Sequence, residues 1–262
     1  MIRTLAAAAL ILLAGCGQGG SSSSPPAGTP VDTGPVATFS ISSDRTGATY
    51  PIWVIAPADS ATGPPPPTIY VLDAETRFST ISAVLHDSGV RATIVGVGNT
   101  GGDRRQVDFL EPGADPYYDF LVLELVPLIG SRYRVDPDRR VLSGHSSGGL
   151  FCMYAFFKTM PTRRPFSDFV CADGSYWQQP AQVADAEAGM YAANPGHDLP
   201  VTVVMGGDQY GNLQYMDPLY QQVLSRHYSS LRISEHAYAM GHVQMDAPFF
   251  NDALAILFPR AH

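Results

Sequence analysis

Arg140-Val141-Leu142-Ser143-Gly144-His145-Ser146-Ser147-Gly148-Gly149-Leu150-Phe151-Cys152-Met153-Tyr154-Ala155-Phe156-Phe157 is the stretch whose reading decides the fold. Arg140 to Ser143 is an apolar β-like run, and Leu150 to Phe157 is an amphipathic run of helical character. Between them lies Gly-x-Ser-x-Gly. A serine held where a strand turns sharply into a helix has its hydroxyl lifted clear of the sheet. Glycines on either side let two backbone segments approach closely enough for that turn. Ser146 is therefore the candidate nucleophile.

Outward from this turn the chain reads as β/α alternation. Val36 to Ser42 and Tyr50 to Ala56 resemble an opening hairpin, and Pro64 to Pro67 stiffens the approach to a strand at Thr68 to Leu72. Further strands are predicted at Ala92 to Val97, Asp168 to Ala172, Pro200 to Met205 and Leu231 to His236. Helices are predicted at Tyr117 to Ile129, Leu150 to Lys158, Pro218 to Tyr228 and Gln244 to Phe258. Runs such as Thr68-Ile69-Tyr70-Val71-Leu72 alternate little, as expected of strands buried on both faces. The pattern implies an α/β fold with a mainly parallel central sheet covered by helices on both faces. Residues 36–262 show one composition regime and no repeat, and are read as one domain.

A serine hydroxyl becomes a useful nucleophile when an imidazole accepts its proton and a carboxylate fixes that imidazole's tautomer. In α/β-hydrolases these groups follow the order Ser, acid, His, each on a loop after a strand. Gly206-Gly207-Asp208 follows one predicted strand, and Ala239-Met240-Gly241-His242 follows the last. Of seven histidines, His242 alone lies beyond the last predicted strand and before the final helix, so it is the candidate base. His145 is expected to pack beside the nucleophile without acting as base. Asp208 is the candidate acid, with Asp217 an alternative on the same loop or a cap before Pro218.

The oxyanion of acyl transfer needs backbone N–H donors. Ser147, directly after the nucleophile at a helix start, supplies one, and Ala74, after the strand Ile69 to Leu72, supplies the other. Tyr176, Trp177 and Tyr210 follow strand ends, where α/β folds place ligands, and are candidate pocket residues with core packing as the competing role. Arg104 and Arg105 precede Asp108, which favours an internal ion pair over a substrate clamp.

The flanks carry a different message. Arg3 precedes an apolar stretch, Leu5 to Leu13, too short to span a bilayer, and Leu13-Ala14-Gly15-Cys16 resembles the bacterial lipobox. Residues 1–15 are read as a lipoprotein signal peptide and Cys16 as the lipidated first residue of the mature chain. Residues 16–35 are then a Gly/Ser/Pro tether. The expected location is the envelope of a bacterial cell, lipid-anchored and facing the periplasm, with the outer membrane as one destination. Cys152 and Cys171 could form a disulfide in that oxidising compartment or remain buried thiols. No His/Cys cluster has zinc spacing, so no metal site is expected. With 16 basic residues scattered among 24 acidic ones and a net charge of −8, nucleic acid is not an expected partner.

Several of these motifs together resemble the putative esterase family of α/β-hydrolases, which includes enterochelin-esterase-like and esterase-D-like proteins. The resemblance covers roughly residues 50–258. It rests on Tyr70-Val71-Leu72-Asp73, Ile94 to Asn99 with Arg105-x-x-Asp108-Phe109, Glu124 to Ile129 leading to Arg132-Tyr133-Arg134, Gly144 to Leu150, Ser175-Tyr176-Trp177 and Gly241-His242. It implies an α/β-hydrolase fold and hydrolysis of carboxylic esters, occasionally thioesters, without a cofactor. The chain departs from the family's usual pattern at Ala74, where glycine is common, and at Asp173-Gly174-Ser175-Tyr176-Trp177-Gln178, where a Ser-Pro-Ser-Leu-Trp-Trp-like stretch is common. It departs again at Gln209, where a glutamate is often found. The function expected is a serine esterase using a Ser-His-Asp triad and an acyl-enzyme on small-molecule esters, short-chain or siderophore-type. The rival expectation is a non-catalytic envelope lipoprotein of the same fold that binds a ligand or partner.

Overall fold

The structure, a computed structural model, describes residues 31–101 and 103–259. The predicted signal peptide, Cys16 and most of the tether lie outside the described residues, as does His262. Among the described residues there are eight strands: β1 (Ala37–Ser42), β2 (Thr49–Ile55), β3 (Thr68–Leu72), β4 (Thr93–Val97), β5 (Arg140–His145), β6 (Asp168–Ala172), β7 (Thr202–Asp208) and β8 (Arg232–Tyr238). They form one sheet in the order β1-β2-β4-β3-β5-β6-β7-β8. The β1–β2 and β2–β4 pairings are antiparallel and the other five are parallel. The hairpin and the mainly parallel sheet are those the sequence predicts.

The helices are α1 (Ala74–Ser88), α2 (Arg104–Phe109), α3 (Ala114–Asp119), α4 (Val126–Arg132), α5 (Ser147–Phe157), α6 (Pro180–Ala193), α7 (Leu213–Ser225) and α8 (Asp246–Leu257), with a π-helical turn at Phe120–Leu125 joining α3 to α4. Successive side chains of the central strands serve two cores. Ile69 and Val71 of β3 join Phe78, Ile81 and Leu85 of α1 and Phe249, Phe250 and Leu254 of α8. Tyr70 and Leu72 join α5, with Val183 and Met190 of α6 and Met216 of α7. Every residue of β3, β4 and β6 is buried, which is why their sequences lack a polar alternation.

Helix α5 is buried along its whole length. Gly148 and Gly149 in its first turn cost about 1 kcal/mol each in helix propensity. Burial of Leu150, Phe151, Met153, Phe156 and Phe157, at roughly 2 kcal/mol per side chain, outweighs that several-fold. Burial therefore holds the helix behind Ser146, and propensity is free to be sacrificed to close approach. Cys152 of α5 and Cys171 of β6 are joined by a disulfide, so of the two readings of these residues the covalent one is found.

Several elements differ from expectation. Helices α1, α2 and α6 are not anticipated, the single helix predicted at Tyr117 to Ile129 is α3, the π-helical turn and α4 in succession, and α7 starts at Leu213, five residues before Pro218. The buried stripes of α1 and α6 include Arg77, Gln182 and Glu187, polar residues that blur a 3.6-residue period. Asp217 consequently lies inside α7 and is not a cap before Pro218.

Candidate active site

The turn after β5 is a close-packed crossing of backbone. Ser146 has φ 63° and ψ −124°, a conformation that a residue with a side chain holds only when its surroundings force it. A Cβ on Gly144 would lie 2.0 Å from the carbonyl oxygen of Gly148, and one on Gly149 would lie 2.3 Å from that of Ala172. These two glycines are therefore steric necessities. The Ser146 N–H donates to Ala172 O at 3.0 Å, the Ser175 N–H donates to Ser146 O at 3.0 Å, and the Oγ atoms of Ser146 and Ser175 are 3.3 Å apart. Hydrogen bonds thus tie the turn to the end of β6 on both sides.

That neighbouring strand end also carries the carboxylate that meets His242. His242 Nδ1 hydrogen-bonds Asp173 Oδ2, and the Asp173 side chain is fully buried. Asp173 Oδ1 accepts from the Asp208 N–H at 2.8 Å, and the Asp173 N–H donates to Gly206 O at 2.6 Å. Asn212 Nδ2 lies 3.3 Å from His242 Nδ1 and donates to Asp173 O at 3.1 Å. With Nδ1–H directed at a carboxylate, Nε2 is left as the basic nitrogen.

The expectation that Asp208 orients His242 is corrected by this arrangement. Strand β7 extends through Asp208, so its backbone N–H is spent on Asp173. Its own carboxylate turns to the next bend and accepts from the Tyr210 N–H at 2.7 Å. Asp217, the alternative, accepts from Gln221 Nε2 at 3.3 Å and hydrogen-bonds Glu235, whose carboxyl is raised by burial and by that acid neighbour. What sequence reasoning missed was an Asp-Gly pair placed directly after β6. Asp173 sits there at φ 41°, a backbone position that aspartate tolerates better than most residues.

Beneath the site, buried Arg77 is bidentate to Asp246 at 2.8 Å for both bonds and also donates to Leu72 O, Ser143 O and Ser143 Oγ. Burial pushes the Asp246 carboxyl up, but the Arg77 guanidinium prevails and holds it below the ordinary value. His145 packs its ring 4.5 Å from that of His242, and its Nε2 donates to His242 O at 2.8 Å. Burial pushes His145 below its usual value, which keeps it neutral. Arg105 is bidentate to Asp73 at 2.7 and 3.0 Å, and Arg104 pairs with Asp108 at 2.6 Å, so both arginines are engaged internally as the sequence favours.

Ser146, Ser147, Ser175, Trp177, Gln178, Asp208, Asn212 and His242 line one open cleft with Arg105 and Gln106. Ser147 begins α5, where the first N–H groups have no acceptor within the helix, and its hydroxyl donates to Gln178 Oε1 at 2.8 Å. Ala74 begins α1 but is buried and is not among the residues lining the cleft. Of the three aromatic candidates, Trp177 lines it, whereas Tyr176 is buried with its ring against Gly174. Tyr210, 73% exposed, stands outside the lining. Among the described residues, His145, Asp173 and His242 place potential metal-ligating atoms within 4.8 Å of one another. Asp173 and His242 are already hydrogen-bonded to each other there.

Comparison with known proteins bears on the fold and the family. The chain is 29% identical over 175 residues to the ferri-bacillibactin esterase BesA of Bacillus subtilis (strain 168), a match covering 53% of this chain and 58% of that protein. Among solved structures, the BES protein from Bacillus cereus aligns with a TM-score of 0.71 at 22% identity, covering 84% of this chain and 94% of that one. The siderophore hydrolase EstA from Aspergillus nidulans aligns with a TM-score of 0.72 at 18% identity, covering 85% and 93%. Likeness at these identities shows a shared fold, the α/β-hydrolase architecture described above. The model of the family described as "Putative esterase" matches residues 43–236, so the chain belongs to the putative esterase family.

Proposed function

We propose that this chain is a serine carboxylesterase acting through Ser146, His242 and Asp173. The observation that carries the reading is the strained Ser146 at the β5–α5 turn, in one cleft with a His242 already bonded to a buried carboxylate. Ser146 Oγ attacks the ester carbonyl carbon while His242 Nε2 takes the hydroxyl proton and Asp173 stabilises the imidazolium. The Ser147 N–H, at the positive end of α5, supports the oxyanion, a contribution worth about 3 kcal/mol of barrier lowering for such a donor. His242 then protonates the departing alcohol, and water attacks the acyl-enzyme by the same path in reverse.

The substrate class we favour is a small ester. BesA and EstA are named as a siderophore esterase and a siderophore hydrolase, which makes siderophore esters a second class. Arg104 and Arg105 are committed to Asp108 and Asp73, which favours the small, uncharged ester over a highly anionic one. The Cys152–Cys171 disulfide supports our further reading that the chain is exported, with Cys16 as lipid anchor. Fluorophosphonate labelling tests the core of the proposal: wild type is labelled and Ser146→Ala is not. Absence of labelling in wild type would favour the binding-protein alternative.

A further inference from the structure

A second hollow opens beside the catalytic cleft. It has a volume of about 670 Å³ and lies between α6 and α7, with Trp177, Pro180 and Val183 on one wall and Tyr215, Pro218 and Leu219 on the other. Trp177 also lines the cleft that holds Ser146 and His242, so the two hollows share a wall. Trp177 is 54% exposed and Tyr215 is 44% exposed, large rings left facing an apolar space.

The charges at the edge of this groove cancel. Buried Glu187 receives two hydrogen bonds from Arg226, each of 2.8 Å, and the guanidinium lies 4.1 Å from the Tyr191 ring centroid. An anionic group would find no uncommitted cation among the lining residues. A flat uncharged ring would find the aromatic side chains of Tyr176, Trp177 and Tyr215 and two proline rings, surfaces that favour stacking.

The groove meets the cleft at Trp177, which lines both. Trp177 Nε1 donates to Asn212 Oδ1 at 3.2 Å, and Asn212 Nδ2 is the group beside His242 Nδ1. In acyl transfer the leaving oxygen lies against His242 Nε2, in the cleft that shares the Trp177 wall, so the groove lies within reach of the alcohol half of an ester. We propose, resting on the esterase reading above, that the α6–α7 groove is the subsite for an uncharged aromatic alcohol portion of the substrate. Trp177 is its entrance and its specificity-determining residue.

The test uses two ester series. One joins acetate to ethanol, benzyl alcohol or 2-naphthylmethanol; the other joins ethanol to acids bearing the same ring groups. Wild type should prefer 2-naphthylmethyl acetate to ethyl acetate by about ten-fold or more in kcat/KM, as expected for a filled apolar subsite. Trp177→Ala and Ala188→Trp, the latter adding bulk at an exposed position lining the groove, should each reduce that ratio by about five-fold or more. A preference confined to the acid series would overturn the assignment to the alcohol side. Equal losses on both acetates, or a wild type with no ring preference, would overturn the groove as a subsite while leaving the esterase reading intact. A wild type that hydrolyses neither series and resists fluorophosphonate would overturn both.

Discussion

The turns after β5 and β6 lie side by side, and each holds a non-glycine residue at positive φ, Ser146 at 63° and Asp173 at 41°. They are held by different forces. At β5, backbone crosses backbone, and Gly144 and Gly149 are required because a Cβ would enter a carbonyl oxygen. At β6, the turn is held by hydrogen bonds: Asp173 N–H to Gly206 O, Asp208 N–H to Asp173 Oδ1, and Asn212 Nδ2 to Asp173 O. Steric constraint imposes residue types on neighbouring positions, whereas a hydrogen-bonded turn accepts many sequences. A nucleophile therefore leaves a pattern in the chain and its acid leaves a single residue.

The largest expected effect bears on which strand end supplies the acid. Ser146→Ala and His242→Ala should each lower kcat by about 10⁴-fold or more, and their double variant should be hardly worse than either. Asp173→Asn should cost about 10³- to 10⁴-fold, because the imidazole loses its tautomer-fixing partner. Asp208→Asn should cost less than about ten-fold, since its carboxylate serves Tyr210 and only its backbone serves Asp173. Steady-state kinetics on one ester decide it, and the reverse ranking would restore Asp208 as the acid.

The same contrast explains what could be read in the chain beforehand. The sheet, the hairpin and helices α5 and α8 were legible because burial on both strand faces and on one helix stripe writes continuous or periodic apolar runs. Ser146 and His242 were legible as glycine-flanked residues after strands. Helix α1 carried its period in Phe78, Ile81 and Leu85, but buried Arg77, neutralised by Asp246, interrupts the stripe. In α6 the buried Glu187, paired with Arg226, does the same. Asp173 was hidden because its partners are backbone groups of β7 and a histidine 69 residues away, neither of which constrains the residues beside it.

Stability should sharpen the comparison next. Gly144→Ala forces backbone against backbone and should cost more than about 3 kcal/mol or prevent folding, within the range reserved for severe strain. Gly174→Ala meets the Tyr176 ring at 2.4 Å, a side chain, and should cost about 1–2 kcal/mol as the ring gives way. Urea unfolding of the two variants measures the difference; equal costs would mean that both turns are sterically fixed.

Between those turns runs the disulfide, joining α5 to β6 across 19 residues of sequence. A loop of that size implies about 3 kcal/mol of stabilisation in the chain-entropy account, usually somewhat less in practice. The Cys152→Ala/Cys171→Ala variant should unfold at correspondingly lower urea with kcat little changed, because the hydrogen bonds between the turns persist. A large fall in kcat with unchanged stability would instead make the disulfide part of the positioning of Ser146.

The smallest effect concerns His145, at the β5 end, which packs against and hydrogen-bonds the histidine held by Asp173. Burial depresses its folded pKa below 6.5, against the pull of Asp246 and of the hydrogen bond to the His242 carbonyl, and with the help of Arg77. In the unfolded chain an unperturbed imidazole takes up its proton as pH falls through about 6.5, while in the folded protein it stays neutral to lower pH. The unfolded state then binds more protons, so this residue's contribution is complete above pH 6.5 and is lost as pH falls towards the folded pKa. Asp246, depressed by Arg77, acts in a separate window: its contribution is present above its ordinary value of 3.8 and is lost only below it. Urea titrations at pH 7.5 and 5.5 should show wild type losing stability on acidification and His145→Asn losing less. If both lose equally, the pH dependence in that window belongs to other histidines.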